Sequence, residues 1–165
     1  MQLILAVICY EDAPQKIRDK INLVSRFVDL LVFSGVTKYR SVDYSTIKQY
    51  VFRLSKSIRR TNIEVLKKVL LQEFHLFEYD YEETIGGFGL NNFTKRYIKH
   101  ILARIISFIE EQTLVQSHYP EYMDSRTKNP FEIEHIITNH PEWFLEYTDR
   151  IDFDYYRNKI GALLL

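Results

Sequence analysis

Apolar residues recur at intervals of three and four along most of residues 12–112, which is the spacing of one helix face. The first such stretch follows Asp12 and Pro14, a cap with proline in the first turn, and continues for about six turns to Ser34-Gly35. Its apolar stripe consists of Ile17, Ile21, Val24, Phe27, Val28 and Leu31. The pattern predicts one long helix.

Three further stretches have the same period. Asp43 and Ser45 can cap a second helix that has one apolar and one basic face. Thr61 and Glu64 have capping-box spacing and predict a third helix that ends near His75. The fourth helix has so broad an apolar face that we expect it in the middle of a bundle; this face contains Tyr97, Ile98, Ile101, Leu102, Ile105, Phe108 and Ile109.

The chain after residue 112 has a different pattern. Residues 131–137 alternate and residues 160–165 form an apolar run, so we predict two short antiparallel strands. Residues 79–92 lack a helical period and are expected to form a loop. The predicted fold class is mainly α, a helical bundle with a short C-terminal β-hairpin. Its core is expected to contain Ile101, Leu102, Ile105, Phe27 and Leu31.

The predicted organisation has three parts. A helical domain covers residues 1–115, a linker covers 116–130, and an incomplete two-stranded motif covers 131–165. The chain ends within an apolar run at Leu165, with no turn or polar tail after it, so we expect a fragment of a longer protein.

Composition narrows the class of protein. The 46% hydrophobic content is enough for a core, and five Gly and four Pro in 165 residues argue against a turn-dense sandwich or a glycine-rich nucleotide fold. The single cysteine, Cys9, cannot form an intrachain disulfide. The longest apolar run, from Leu3 to Tyr10, is too short to span a membrane. A cytoplasmic location is therefore predicted.

Charge is segregated along a chain whose net charge is zero. Residues 38–68 carry nine basic side chains against Asp43 and Glu64, a local charge of +7. Such a stretch can neutralise DNA phosphates. The candidate nucleic-acid-binding residues are Lys48, Arg53, Lys56, Arg59 and Arg60. The alternative is that this stretch packs beside acidic segments of its own chain or is a solvated face.

Two segments near the C-terminus carry a resemblance. Asn129-Pro-Phe-Glu-Ile-Glu-His-Ile-Ile137 and, after a spacer, Tyr156-Arg-Asn-Lys-Ile-Gly-Ala-Leu-Leu-Leu165 resemble the start of the His-Asn-His (HNH) nuclease domain of GmrSD-type restriction proteins. The helix at 93–104 is similar to the segment that leads into that domain. The resemblance implies a modification-dependent (type IV) restriction system that acts on DNA, modified DNA included.

The resemblance also implies roles for individual residues. In a ββα-metal nuclease a strand histidine is the general base, so His135 would take the proton from water and Glu134 would be a ligand of a divalent metal such as Mg²⁺. Asn158 occupies a position, just before the Ile-Gly pair, that recurs among the proteins that the chain resembles. Alternatively, it is a turn residue before the second strand. His140 could serve as a replacement ligand, or it is a surface residue.

The chain departs from the family pattern at three points. Ala162 stands where many relatives have the central asparagine of the second strand. The following helix, with the remaining ligand, would lie beyond Leu165, and the ParB-like nucleotide-hydrolysing domain that begins such proteins is missing. We therefore expect this chain alone to bind no metal and to show little or no cleavage.

Two readings from other classes remain open. The helices could form a non-catalytic DNA-binding or scaffold module, and the basic stretch 38–68 favours this interpretation. Alternatively, His135 is a core histidine between strands and has no chemical role.

Overall fold

The computed structural model describes residues 2–40, 42–76, 81–144, 146–147 and 149–165. The chain forms two compact units, residues 1–84 and 85–165. The described part is mainly helical and has a small antiparallel sheet near the C-terminus, which confirms the predicted fold class. The α-helices are α1 Gln2–Val7, α2 Pro14–Thr37, α3 Tyr44–Ser57, α4 Ile63–His75, α5 Tyr81–Gly86, α6 Lys95–Gln112, α7 Tyr119–Met123 and α8 Arg150–Arg157.

The first unit packs helices α1 to α4 around one apolar core. Helix α2 lies against α1 and α4, and α1 lies against α3. The buried side chains recur every three or four residues along each helix. Each helix therefore has one apolar face, and these faces pack against one another. The core consists of Leu3, Val7, Val24, Phe27, Val51, Leu54, Ile58, Leu66 and Leu70.

Two of the helix starts differ from the sequence prediction. Asp43 does cap α3, since its Oδ1 accepts a hydrogen bond from the Thr46 amide over 2.9 Å. Asn62, not Thr61, caps α4, with its Oδ1 accepting from the Val65 amide over 2.9 Å. Asp12 does not cap α2 because it is engaged elsewhere, in an ion pair with the buried Lys20.

Lys20 fixes the end of α1 to α2 through polar contacts in a buried position. Its Nζ donates to the backbone oxygen of Val7 over 3.0 Å and to Asp12 Oδ2 over 2.5 Å. Asp12 also accepts from the Cys9 amide and pairs with Lys16. These contacts satisfy a charge that would otherwise be costly to bury.

The second unit contains α6, α7, α8 and the two-stranded sheet. Strand β1, Glu134–His135, pairs antiparallel with β2, Leu163–Leu164, in the register Glu134 to Leu164 and His135 to Leu163. Both strands are shorter than predicted: residues 160–162 form a 3-10 turn before β2, and β1 pairs only along Glu134–His135. Buried residues of this unit include Phe88, Ile98, Leu102, Ala103, Tyr122, Phe153 and Leu163.

Two sequence predictions in this region are wrong. Residues 81–86, expected to be loop, form α5, while residues 79–80 of that predicted loop lie outside the described part. Ile105, expected in the core, is 48% exposed, and Phe108 and Ile109 on the same helix are exposed too. Helix α6 therefore buries a narrower face than its composition suggested, formed by Ile98, Leu102, Ala103 and Ser107.

Candidate active site and nucleic-acid interface

Strand β1 carries both residues to which the sequence assigned chemistry. His135 is half-buried and lies opposite the buried Leu163, whereas Glu134 is exposed and lies opposite the exposed Leu164. Successive side chains on a strand point to opposite faces. The imidazole of His135 and the carboxylate of Glu134 therefore leave the strand on different faces.

His135 meets the third residue singled out from the sequence. Its Nε2 lies 2.9 Å from Oδ1 of Asn158, which is 23 positions later in the chain. Because the amide oxygen can only accept, Nε2 carries the proton, and in the neutral ring Nδ1 keeps the lone pair. This tautomer leaves Nδ1 able to accept a proton.

Asn158 is itself held by its backbone. It ends α8, where its amide donates to the Asp154 carbonyl over 3.1 Å, and its own carbonyl accepts from the Leu90 amide over 2.6 Å. Residues 88–90 run beside 158–160, and the Ile160 amide donates to the Phe88 carbonyl over 3.1 Å. A Cβ on Gly89 would lie 2.7 Å from the Asn158 carbonyl oxygen, so the close approach requires glycine there.

Arg157 is a site residue for which the sequence analysis proposed no role. Its Nε donates to the backbone oxygen of Ile137 over 3.0 Å, which ties the end of α8 to the chain after β1. A guanidinium has five N–H donors, so this single bond leaves others for an anion. Its signal in the sequence was its position directly before Asn158, within the run that resembles the nuclease motif.

The described residues do not form a complete site for a divalent ion. No group of three or more His, Cys, Asp or Glu side chains in the described part of the chain could hold a metal. Glu134 offers one carboxylate, and it faces away from His135. His140, considered as a replacement ligand, instead stacks on Trp143 at 4.3 Å and pairs with Glu142 at 2.8 Å.

The five basic residues predicted to bind nucleic acid fall into two groups. Lys56, Arg59 and Arg60 line one cavity of about 410 Å³ in the first unit, together with side chains of α1. Arg53 instead pairs with Glu73 over 2.9 Å. Lys48, on α3, is not among the lining residues of that cavity. The structure therefore brings three of the five together.

A second polar cluster joins α6 and α7. Glu110 accepts hydrogen bonds from the Tyr122 hydroxyl over 2.5 Å and from the His118 amide over 3.0 Å, and it contacts His118 Nδ1 over 3.0 Å. The Tyr122 hydrogen bond and the His118 contacts lower the pKa of Glu110 to about 2. In return, Glu110 raises the pKa of His118 above its ordinary value and raises the pKa of Tyr122 to about 12. No role for His118 followed from the sequence.

No protein-family model, curated protein or solved structure matches the chain. Of the described helices, none is long and apolar enough to cross a membrane.

Proposed function

We propose that this chain is part of a DNA endonuclease of the HNH type, belonging to a modification-dependent restriction system of the cytoplasm. The observation that supports it is the hydrogen bond of 2.9 Å between His135 and Asn158. A general base needs one ring nitrogen fixed as a donor so that the other can accept a proton. Asn158 supplies that acceptor, and it comes from the segment that resembles the second half of the motif.

The proposed step uses Nδ1 of His135. A water molecule gives its proton to Nδ1, its oxygen forms the new bond to phosphorus, and the bond from phosphorus to the leaving oxygen breaks. The leaving oxygen takes a proton from solvent to give the free hydroxyl. Asn158 is a positioning residue in this scheme, because it holds the ring and its tautomer without touching the phosphate. Positioned proton transfer of this kind increases the reaction rate by about 10²–10⁴-fold.

Mg²⁺ dependence remains part of the proposal although Glu134 alone does not make a site. Magnesium in enzymes of phosphate chemistry is commonly held by one or two carboxylates together with substrate phosphates.

The test is a cleavage assay on the protein as it is encoded, including any reading frame that continues past Leu165. We expect Mg²⁺-dependent cleavage of plasmid DNA in the intact protein and little or none from residues 1–165 alone. His135→Ala should lower the rate by about 10²-fold or more. His118→Ala is the matched control, because it removes a histidine of the same unit that lies outside the site, and it should leave the rate within about two-fold. Equal rates with and without His135 would overturn the assignment.

A second candidate function is a non-catalytic helical module that binds DNA or serves as a scaffold. The cavity lined by Lys56, Arg59 and Arg60 favours it, since three cations around one concave surface can contact phosphates without any cleavage. DNA binding by the intact protein that persists without any Mg²⁺-dependent cleavage would favour this function over the first.

A further inference from the structure

A cavity in the second unit lies outside the basic stretch that the sequence singled out. Its volume is about 670 Å³, and it opens between the start of α6 and the chain before β1. Residues 130–133 form one wall, so the same segment continues into Glu134 and His135. Glu132 and His135 are three positions apart, which is at most about 11 Å along the chain.

The charged side chains of this cavity are mostly basic. Lys95, Arg96 and Lys99 line it from successive turns of α6, and Glu132 is the one acid among its lining residues. Lys99 donates to the backbone oxygen of Phe131 over 2.7 Å, which holds the wall against the helix. Lys95 has no ion-pair partner among the described residues. A cavity with this charge favours an anion such as a phosphate group.

The rest of the lining is aromatic and apolar. Phe93 is 38% exposed and Phe131 is 43% exposed, so both rings present area to the cavity. Arg96 lies over the ring of Tyr97 at 4.5 Å, which fixes its guanidinium near the same opening. Exposed rings beside cations are the combination that binds a base by stacking and its phosphate by charge.

We propose that this cavity binds one nucleotide of a single DNA strand, with the phosphate at Lys95 and Arg96 and the base against Phe93 and Phe131. The inference rests on the proposed function for the choice of DNA as ligand. It deepens that function, because it places the bound strand within a few residues of His135 and in the second unit. The basic residues 38–68 belong to the first unit and would be a separate contact.

The test measures binding by fluorescence anisotropy, with the 165-residue chain and a fluorescein-labelled thymidylate decamer as the probe. Lys95→Glu should weaken binding about ten-fold. The matched control is Lys128→Glu, an equally large charge change at an exposed residue of the same unit that does not line the cavity. We expect a change of less than about two-fold for it. Equal losses in the two variants would overturn the cavity as the binding site.

The aromatic half of the inference has its own variant. Phe131 contacts Tyr122 edge to face at 5.0 Å, so Phe131→Leu is used because it keeps apolar volume there while removing the ring face. Phe131→Leu should weaken the thymidylate decamer about five-fold or more and leave an abasic strand of the same length unchanged. Equal weakening of both strands would overturn base stacking. Displacement of the decamer by an equal concentration of free thymidine monophosphate would contradict binding of a DNA strand and would identify a free nucleotide as the ligand.

These results separate the inference from the proposed function. Binding is read without cleavage, so a protein that shows the Lys95 and Phe131 effects but never cleaves DNA would contradict the endonuclease and leave the nucleotide cavity standing. Cleavage that depends on His135 but is accompanied by wild-type binding in both cavity variants would do the reverse.

Discussion

His135 donates from Nε2 to Oδ1 of Asn158 over 2.9 Å, and the two residues come from segments 23 positions apart. Asn158 also accepts from the Leu90 amide through its backbone oxygen. One residue therefore joins the strand that carries His135 to a third stretch of chain. The orientation of the proposed base depends on this residue and on the backbone that positions it.

The side-chain amide of Asn158 should hold His135 in one tautomer, so its removal should allow both neutral tautomers. In the unmodified chain we expect the Nε2–H form in ¹⁵N NMR spectra of the imidazole, whereas Asn158→Ala should give a mixture of the two neutral forms. The lost hydrogen bond should also lower the free energy of unfolding by about 1 kcal/mol. Asn139→Ala is the matched control, since Asn139 pairs with Arg150 on the exposed surface. An unchanged spectrum in Asn158→Ala would contradict the role given to Asn158.

The approach of residue 89 to Asn158 gives a second prediction. Gly89→Ala places a Cβ 2.7 Å from a backbone oxygen, so the strand-like pairing of 88–90 with 158–160 must shift. We expect a loss of about 1–3 kcal/mol in the free energy of unfolding. Gly161→Ala meets no atom within 4 Å and should change it by less than about 0.5 kcal/mol. Urea unfolding followed by the fluorescence of Trp143, which lies in the same unit, measures both.

The sequence predicted the features that depend on neighbours along the chain. Asp43 caps α3 by bonding three residues ahead, and the apolar period that marked α2, α3, α4 and α6 is a property of each helix alone. Asp12 has the same cap chemistry, but the cap prediction was wrong because the buried Lys20 claims its carboxylate from eight positions away. Ile105 was wrongly placed in the core for a related reason: composition gives the width of an apolar face but not how much of it finds a partner.

The candidate site was predictable as a list of residues but not as an arrangement. The motif pointed to His135 and Asn158 separately, and their contact depends on a turn of chain that α8 provides between them. The cavity beside Lys95 was not predicted, because one wall comes from residues 92–99 and the facing ring of Phe131 comes from more than thirty positions later. The sequence also pointed to Glu134. It did not show on which face of the strand Glu134 lies, because that depends on the register of the strand pair.

The cluster of Glu110 and His118 should make stability depend on pH. Hydrogen bonding to Glu110 raises the folded-state pKa of His118, so its contribution is fully present below about pH 6.5 and is lost as pH rises through the higher folded value. Glu110 has a lowered pKa of about 2, so its contribution is present above about pH 4.5 and is lost on acidification. The second unit should therefore be more stable at pH 6 than at pH 8.

Amide hydrogen exchange in α6 and α7 at the two pH values, corrected for the intrinsic exchange rates, measures this difference. His118→Gln should abolish the part of the difference that comes from the cluster while keeping a polar side chain that can reach Glu110. His140→Gln is the control, because His140 lies in the same unit but pairs with the exposed Glu142. A pH difference that disappears in His140→Gln and persists in His118→Gln would contradict the assignment.

The buried pair of Asp12 and Lys20 should stabilise the first unit above acidic pH. Hydrogen bonding to Lys20, with a further contribution from Lys16, holds the pKa of Asp12 well below its usual range. Its contribution is therefore present above about pH 4 and is lost as pH falls further. Asp12→Asn should reduce amide hydrogen-exchange protection in α1 and α2 at pH 7, because it leaves Lys20 buried without a counter-charge.

Lys16→Gln is the matched control for Asp12→Asn. Lys16 contacts the same carboxylate, but its side chain is exposed to solvent over nearly half of its area, so its removal should change protection little. The double variant Asp12→Ala with Lys20→Met should be milder than Asp12→Asn, since neither charge then remains buried. Equal protection in Asp12→Asn and Lys16→Gln would show that burial of Lys20 does not set the stability of this region.

The basic cavity of the first unit leads to the last prediction, which concerns DNA affinity. Lys56 and Arg59 line the cavity beside α1, whereas Arg53 is already paired with Glu73. The double reversal Lys56→Glu with Arg59→Glu should weaken binding to a 20-base-pair duplex about ten-fold and flatten the dependence of affinity on salt. Arg60 is left unchanged because its φ of 54° makes its backbone position the more sensitive one.

Arg53→Glu with Arg18→Glu is the control for this double reversal. It makes an equal change in net charge at exposed residues outside the cavity, and it should lower DNA affinity markedly less. Equal losses in both double variants would mean that net charge alone, rather than this cavity, attracts DNA to the first unit.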